Sequence, residues 1–138
     1  MSEENKAVLQ RWFDEVWNGG RADVIDELLA RDAVIHGLQD AAGQPVDGYE
    51  RYLEFYGQFK GAFPNITVVV EDIVSEGDKV AARCSVVAKH TGAHLGIDAT
   101  HSDVDFDGMT IVVVKDGKIT EAWNNFDFMR MNKQLGLI

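Results

Sequence analysis

The fold is decided by residues 104–126, which read VDFDGMTIVVVKDGKITEAWNNF. Two largely apolar runs, Val104 to Val114 and Lys118 to Phe126, flank the triplet Lys115-Asp116-Gly117. An Asp-Gly pair between two such runs is a strong signal for a tight turn. The stretch therefore predicts a β-hairpin near the carboxyl end of the chain.

The residues before this hairpin continue the same pattern. Asn65 to Ser75 and Lys79 to Thr91 indicate two further strands, joined by the turn Glu76-Gly77-Asp78. The runs Val68-Val69-Val70 and Ile111 to Val114 are too apolar for a sheet with one face in water. We therefore expect a strongly curved sheet that is lined inside by helices and covered outside by another subunit.

The first half of the chain is mainly helical. Apolar pairs recur every four residues from Ser2 to Trp17, which indicates one face of an amphipathic helix. Tyr49 to Phe63 is a helix dense in aromatic residues, and Pro64 ends it. The other predicted elements are a helix at Ala22 to Ala30, a strand at Ala33 to Leu38, a loop at Asp40 to Gly48 and a last helix at Phe128 to Leu135. Helices at the front and strands behind predict the α+β class with an antiparallel sheet.

Composition favours a single domain over residues 1–138. A chain of 138 residues, 46% of them hydrophobic, can bury a core without disulfides, and we expect its one cysteine, Cys84, to be buried. The net charge of −10 makes nucleic acid and membranes poor partners, because an acidic surface repels phosphate and anionic lipid. No secretory signal begins the sequence, and the longest apolar run, Met109 to Val114, is too short to span a bilayer. We expect a cytoplasmic protein.

Three stretches carry a resemblance to a known family. They are Trp17-Asn18-Gly19, the strand that starts at Lys79 and ends in His90-Thr91-Gly92, and the closing run Asp116 to Asp127. Together they resemble the SnoaL-like polyketide cyclases and their ester-cyclase relatives, of the nuclear-transport-factor-2-like (NTF2-like) superfamily. The resemblance follows nearly the whole chain in order.

This resemblance implies both a fold and a chemistry. It implies the NTF2-like (cystatin-like) cone, in which helices pack on a strongly curved antiparallel sheet around an apolar pocket, and usually a dimer. For the cyclases it implies an intramolecular aldol ring closure without metal or cofactor. The acid/base aspartate of the closing strand maps onto Asp127. Those cyclases also use a histidine on the preceding strand, whereas Val104 to Val114 contains none.

The closing strand brings four side chains into phase. Residues two apart on a strand share a face, so Glu121, Trp123, Asn125 and Asp127 line up if no bulge intervenes. With Trp123 pointing into the cone, Asp127 lies on the pocket wall, where loss of water raises its pKa towards that of a general base. The alternative is structural, because Asp127 immediately precedes the last helix and aspartate is a favoured cap.

Histidines and tyrosines complete the predicted site. His36 and His90 each lie in an apolar strand pattern, where a histidine is either a pocket residue or a hydrogen-bonded core residue. Tyr52 and Tyr56 are one helical turn apart, and either hydroxyl can donate to a substrate carbonyl. The predicted catalytic residues are Asp127, His90 and His36, and the predicted substrate-binding residues are Trp123, Asn125, Tyr52, Tyr56, Phe106 and Trp17.

A histidine-rich stretch raises the question of a metal site. His90, His94, Asp98 and His101 fall within twelve residues. A His-x-x-x-His pair binds zinc from a helix, and Thr91-Gly92 makes a helix unfavourable there. We expect neither a metal nor a cofactor, and we interpret the stretch as a flap over the pocket.

The function that follows is a cofactor-independent acid/base enzyme acting on a small, apolar carbonyl compound, cyclase-like or isomerase-like. Asp127 would take a proton from an activated carbon while a histidine or tyrosine polarises the adjacent carbonyl. The alternative is a noncatalytic module that binds a small molecule; a metal-dependent hydrolase rests only on the histidine stretch. The expected partners are a small apolar ligand and a second copy of the chain, bound through the outer face of the sheet.

Overall fold

Helices and strands occupy most of the chain, of which the computed structural model describes residues 2–93 and 95–138. The helices are α1 Ser2–Arg11, a π-helix Trp12–Asn18, α2 Asp23–Leu28, α3 Tyr49–Ala62 and α4 Phe128–Gln134. The strands are β1 Leu29–His36, β2 Thr67–Glu76, β3 Lys79–Lys89, β4 Asp103–Lys115 and β5 Lys118–Phe126. The predicted α+β class and the order of elements are confirmed.

The strands form one curved, unclosed sheet in the order β1-β5-β4-β3-β2. The meander from β2 to β5 is antiparallel, as its short turns require. β1 runs parallel to β5, with Ile35 opposite Ala122, so the predicted antiparallel sheet has one parallel pair at this edge. The reason is that α3 separates β1 from the meander, and a helical connection does not impose the antiparallel direction of a hairpin.

The two faces of the sheet differ in burial along β4. Val104, Phe106 and Val112 are buried on the inner face beneath the helices, whereas Met109 and Ile111 are exposed on the outer face. The alternation of a half-buried strand is therefore present, but its exposed positions are apolar as well. The pocket and the core lie on the concave side of the sheet.

A β-bulge changes the phase of β5. The register between β4 and β5 shifts at Thr120, so that the buried residues are Ile119 and then Ala122, three positions later. From Ala122 onward the even-numbered residues face inward, and Trp123 faces outward. The expectation that residues 121, 123, 125 and 127 face the pocket is wrong because strict alternation from Ile119 does not survive this bulge.

The first helix changes its hydrogen-bond pattern at Trp12. It was expected to be one amphipathic helix from Ser2 to Trp17, but a π-helix begins after Arg11 and ends at Asn18. Residues five apart lie about 140° apart around an α-helix, whereas the wider π turn brings them towards one face. Trp12 and Trp17, five apart, are both buried and both contact Tyr52.

The prediction that Cys84 is buried is confirmed. Cys84 is fully buried on β3, and burial raises the pKa of its thiol to about 11. Asn18 ties the π-helix to β2: its Nδ2 donates to the Val68 carbonyl over 2.7 Å, and the Val68 amide donates to its Oδ1 over 2.6 Å. Among the described residues, no helix is long and apolar enough to cross a membrane.

Candidate functional site

An apolar cavity of about 80 Å³ lies between the helices and the concave face of the sheet. The helical side of its wall includes Leu9, Trp12, Phe13, Trp17, Tyr52 and Phe55. Strands β4 and β5 contribute Phe106, Thr110, Val112, Ala122, Asn124 and Phe126. Aromatic and aliphatic side chains make up nearly all of the described wall, so the cavity favours a small, largely apolar molecule.

The hydroxyl of Tyr52 is the polar centre of the helical wall. Tyr52 is buried, and its oxygen accepts a hydrogen bond from Trp17 Nε1 over 3.1 Å. An indole N–H can only donate, so the hydroxyl must act here as the acceptor. Its own proton has no acceptor among the residues that the structure describes, and it is available to a molecule in the cavity.

Burial keeps this hydroxyl protonated. Loss of water is the main cause that raises the pKa of Tyr52 well above its ordinary value, and hydrogen bonding to Trp17 and Trp12 only partly opposes it. Tyr52 is therefore a neutral hydrogen-bond donor near neutral pH. The indole donors polarise the hydroxyl and make its proton a better donor.

A second polar group lies on the sheet side of the cavity. Thr110 Oγ1 donates to Asn124 Oδ1 over 3.0 Å, and Asn124 Nδ2 donates to the His36 carbonyl over 3.0 Å. Because a carbonyl oxygen can only accept, the His36 contact fixes which side of the amide faces which partner. Thr110 and Asn124 thus offer the cavity a hydroxyl oxygen and the remaining capacity of one oriented amide.

Asp127 lies outside this cavity. Its Oδ1 accepts from the backbone amide of Arg130 over 3.0 Å, which makes it the N-cap of α4. Its side chain is exposed and borders a recess on the outer face of the sheet together with Trp123 and Asn125. The prediction of a pocket carboxylate is therefore wrong in its geometry, and the alternative of a helix cap is the one that the structure bears out.

His36 and Trp123 also lie on the outer face. The His36 ring stacks on Trp123 with centroids 5.4 Å apart, and its Nε2 lies 2.8 Å from Glu121 Oε2. Trp123 remains 37% exposed. Neither residue reaches the cavity wall, because β1 and the part of β5 beyond the bulge turn these side chains outward.

His90 is fully buried but does not line the cavity. Its Nδ1 accepts from the backbone amide of Thr100 over 3.0 Å, so the neutral ring carries its proton on Nε2. That Nε2 has no hydrogen-bond partner among the described residues, and the ring packs against Phe63. Burial is the main cause that lowers the pKa of His90, and His101 adds to it. His90 thus bonds to Thr100 and belongs to the core rather than to the described cavity wall.

The remaining predicted residues divide between wall and core. Trp17, Tyr52 and Phe106 lie in the cavity wall, and their contact with a ligand stays a prediction. Tyr56 does not, because its hydroxyl donates to the Val16 carbonyl over 2.7 Å. His94 lies outside the described residues, and in the rest of the chain no group of three side chains could hold a metal ion. The absence of a metal therefore also stays a prediction.

Sequence reasoning missed Asn124, Thr110 and Trp12. Asn124 lies in the closing run, directly after Trp123, but it is out of phase with the four residues that alternation predicted to face the pocket. The five-residue spacing of Trp12 and Trp17 was the signal for a shared face, and it is informative only once a π-helix is considered.

A wider cleft of about 570 Å³ lies at the mouth of the cone. It shares Leu38, Phe55 and Phe128 with the inner cavity, so the two spaces meet at these side chains. Leu95, from the stretch predicted to be a flap, also borders the cleft.

Comparisons with known proteins agree with this architecture. The model of the SnoaL-like polyketide cyclase family matches residues 7–135. A candidate SnoaL-like polyketide cyclase from a Jannaschia species is 25% identical, with 100% of this chain and 95% of that one covered and a TM-score of 0.84. IdmH, a candidate polyketide cyclase from Streptomyces antibioticus, is 30% identical over 96% of this chain and 98% of its own, with a TM-score of 0.80.

A third solved structure extends the likeness. A candidate polyketide cyclase from Bacillus cereus is 32% identical, with 98% of this chain and 82% of that chain covered and a TM-score of 0.81. The comparison with curated proteins gives no match.

Proposed function

Because the chain belongs to the SnoaL-like polyketide cyclase family, we propose that it binds a small, largely apolar carbonyl compound in the inner cavity and promotes an aldol-type ring closure. Tyr52 is the group that activates the carbonyl. The observation that carries this proposal is the buried Tyr52 hydroxyl, which accepts from Trp17 and so keeps its own proton for the ligand.

The chemistry that fits this cavity needs no strong base. Tyr52 is the single titratable side chain among the described residues of the cavity wall, and its raised pKa keeps it neutral. A β-dicarbonyl compound is already enolised to a useful extent, so its nucleophilic carbon does not depend on a carboxylate. This argues for a substrate with carbonyl groups separated by one carbon.

The proposed step balances in protons and electrons. The enol carbon forms a bond to the electrophilic carbonyl carbon, and the electron pair of that carbonyl moves to its oxygen. This oxygen takes the proton of Tyr52, and the proton released from the enol oxygen restores the hydroxyl as the new ring ketone forms. Stabilising charge on the carbonyl oxygen with a preorganised donor is a large source of catalysis in water-excluded sites.

A second function, binding without turnover, is favoured by one observation. Asp127 caps α4, and no carboxylate is present among the described residues that line the cavity. A module that holds a carbonyl ligand needs the donor and the apolar wall but no base. Both functions share the ligand and the role of Tyr52 in binding.

The test combines binding and turnover in matched variants. The probe is an aryl β-diketone that carries a further ketone within reach of its enol carbon. We expect it to bind wild-type protein and to close its ring faster than in buffer. Tyr52→Phe should lower turnover by roughly 10²-fold and affinity by at most about tenfold. Tyr56→Phe is the control, because it also loses a buried hydrogen bond but lies away from the cavity. Binding with no turnover in wild type would select the noncatalytic function.

A further inference from the structure

The cleft at the mouth of the cone has the chemistry of a second subsite. It lies next to the inner cavity, because the side chains of Leu38, Phe55 and Phe128 border both spaces. The cleft is larger, at about 570 Å³ against about 80 Å³ for the cavity. Its wall carries three carboxamides, those of Gln39, Gln58 and Asn132, whereas the described wall of the cavity carries one, that of Asn124.

Two of these carboxamides have unused hydrogen-bonding capacity. Gln58, on α3, and Asn132, on α4, border the cleft and are partly buried. The side-chain amide of neither residue bonds to any other described residue. Each amide offers donors as well as an acceptor, so each can bond to a hydroxyl, ether or carbonyl oxygen in the cleft.

Charge in the cleft excludes an anionic occupant. Among the described residues that border it, Asp40 alone is charged. The Asp40 carboxylate accepts from the backbone amides of Ala42 and Gln44 and pairs with Arg51 at 3.5 Å, so it is committed to its own loop. No cation of the described wall compensates a phosphate or carboxylate, and the net charge of the chain is −10. A buried anion without a partner is costly.

We propose that the outer cleft binds an uncharged, oxygen-bearing part of the same molecule whose apolar carbonyl end occupies the inner cavity, and that Gln58 and Asn132 recognise it. This rests on the proposed function, because it assumes a carbonyl ligand in the cavity. It adds that the substrate is elongated and carries hydroxyl or carbonyl oxygens, rather than a phosphate or free carboxylate, at its outer end.

The experiment uses three aryl ketones that share one head group. Acetophenone presents the head group alone; its para-hydroxyethoxy derivative adds a neutral tail; its para-carboxymethoxy derivative adds an anionic one. Calorimetric titration should show that the neutral tail improves affinity by about fivefold to tenfold, as one or two net hydrogen bonds provide. The anionic tail should bind at least about tenfold more weakly than the neutral one.

Variants assign the gain to the two carboxamides. Gln58→Leu and Asn132→Leu should each remove most of the gain from the neutral tail and leave the affinity for acetophenone unchanged. Gln44→Leu is the matched control, because Gln44 is exposed and borders neither space. Acetophenone binding with no gain from the neutral tail, or a gain that both variants retain, overturns the subsite alone. Failure of acetophenone itself to bind overturns the proposed function, and the subsite with it.

Discussion

Trp17 donates its indole N–H to the hydroxyl of Tyr52 across the helical wall of the cavity, over 3.1 Å. Two features of the chain create this pair. The π-helix turns Trp17 towards α3, and α3 presents Tyr52 to the cavity. The consequence is a hydroxyl whose acceptor side is occupied and whose donor side is free.

Removal of the indole donor should therefore weaken carbonyl activation without emptying the wall. Trp17→Phe keeps an aromatic ring but removes one of the two indole donors that polarise the Tyr52 hydroxyl. We expect the affinity for acetophenone to fall by about threefold to tenfold, equivalent to one net hydrogen bond. Trp123→Phe is the control on the outer face and should bind acetophenone as wild type does. Equal affinity in wild type and Trp17→Phe would contradict a positioning role for Trp17.

Because Asp127 caps α4 and lies outside the cavity, its substitution should affect stability rather than ligand binding. Asp127→Asn should keep ligand binding and turnover, because asparagine caps helices about as well as aspartate. Asp127→Ala should lower the free energy of unfolding by about 1 kcal/mol through loss of the bond to the Arg130 amide, again with ligand affinity unchanged. Urea unfolding and calorimetry on both variants provide the measurement. A large loss of turnover in Asp127→Asn would restore the acid/base assignment, because this variant keeps the helix cap.

The difference between the predicted and observed site comes from two local irregularities. Hydrophobic alternation predicted the strands and the hairpin correctly, because burial on the inner face of β4 follows a strict period of two. On β5 the bulge at Thr120 advances the phase by one residue, so Asn124 faces the cavity in place of Trp123. A bulge is difficult to recognise in a single sequence, because a threonine at position 120 is compatible with a regular strand as well as with a bulge.

The π-helix has the same effect on the helical wall. Apolar pairs every four residues predicted an α-helix up to Trp17, and that period is compatible with either helix type. Which of the two forms depends on the packing of Trp12 and Trp17 against Tyr52, a contact between residues 35 or more positions apart. A local sequence pattern cannot predict long-range packing of this kind. The cone itself was predicted from the family resemblance.

Gly108 makes room for a side chain of the cavity wall. A Cβ at this position would collide with the ring of Phe126, which packs directly against the glycine from the neighbouring strand. Gly108→Ala should therefore lower the free energy of unfolding by about 1–3 kcal/mol, the usual cost of overpacking. Because Phe126 lines the cavity, acetophenone affinity should change as well.

Gly57 is the matched control for this substitution. It lies on the exposed side of α3, and a Cβ there meets no atom within 4 Å. Gly57→Ala should raise the free energy of unfolding by about 0.5–1 kcal/mol, because alanine is the better helix former. Urea unfolding measures the stability of both variants. A Gly108→Ala variant as stable as wild type would contradict the packing argument.

The exposed outer face of the sheet predicts self-association. Val74, Met109, Ile111 and Trp123 expose apolar surface around a recess of about 870 Å³. A contiguous apolar face of this kind is unusual on a monomer. We propose that two copies pair through it, so that light scattering gives twice the protomer mass of 15.3 kDa.

A charge introduced on this face should separate the copies. Ile111→Lys should give the protomer mass at micromolar concentration, because pairing would have to remove water from the introduced ammonium. Leu137→Lys is the control: Leu137 is an exposed apolar residue at the mouth of the cone, away from the outer face. Wild-type protein at 15.3 kDa would contradict the pairing.

Buried His90 should make the fold sensitive to mild acid. Its pKa is lowered in the folded protein, chiefly by burial, while the unfolded chain has the ordinary value of about 6.5. Above about pH 6.5 the ring is neutral in both states and has no effect on the pH dependence. As the pH falls below that value, the unfolded chain takes up a proton that the folded protein resists, so the free energy of unfolding decreases. This decrease continues down to the folded pKa.

Three proteins isolate this contribution. The free energy of unfolding should fall between about pH 7 and pH 5 more steeply in wild type than in His90→Gln, with an excess slope of at most about 1.4 kcal/mol per pH unit for one proton. His101→Gln, which alters the exposed neighbour, should keep most of the excess. Protonated Nδ1 can no longer accept from the Thr100 amide, so amide exchange at Thr100, after correction for intrinsic rates, should accelerate only once the pH falls to the folded pKa of His90. Parallel slopes in wild type and His90→Gln would show that His90 protonates equally in both states.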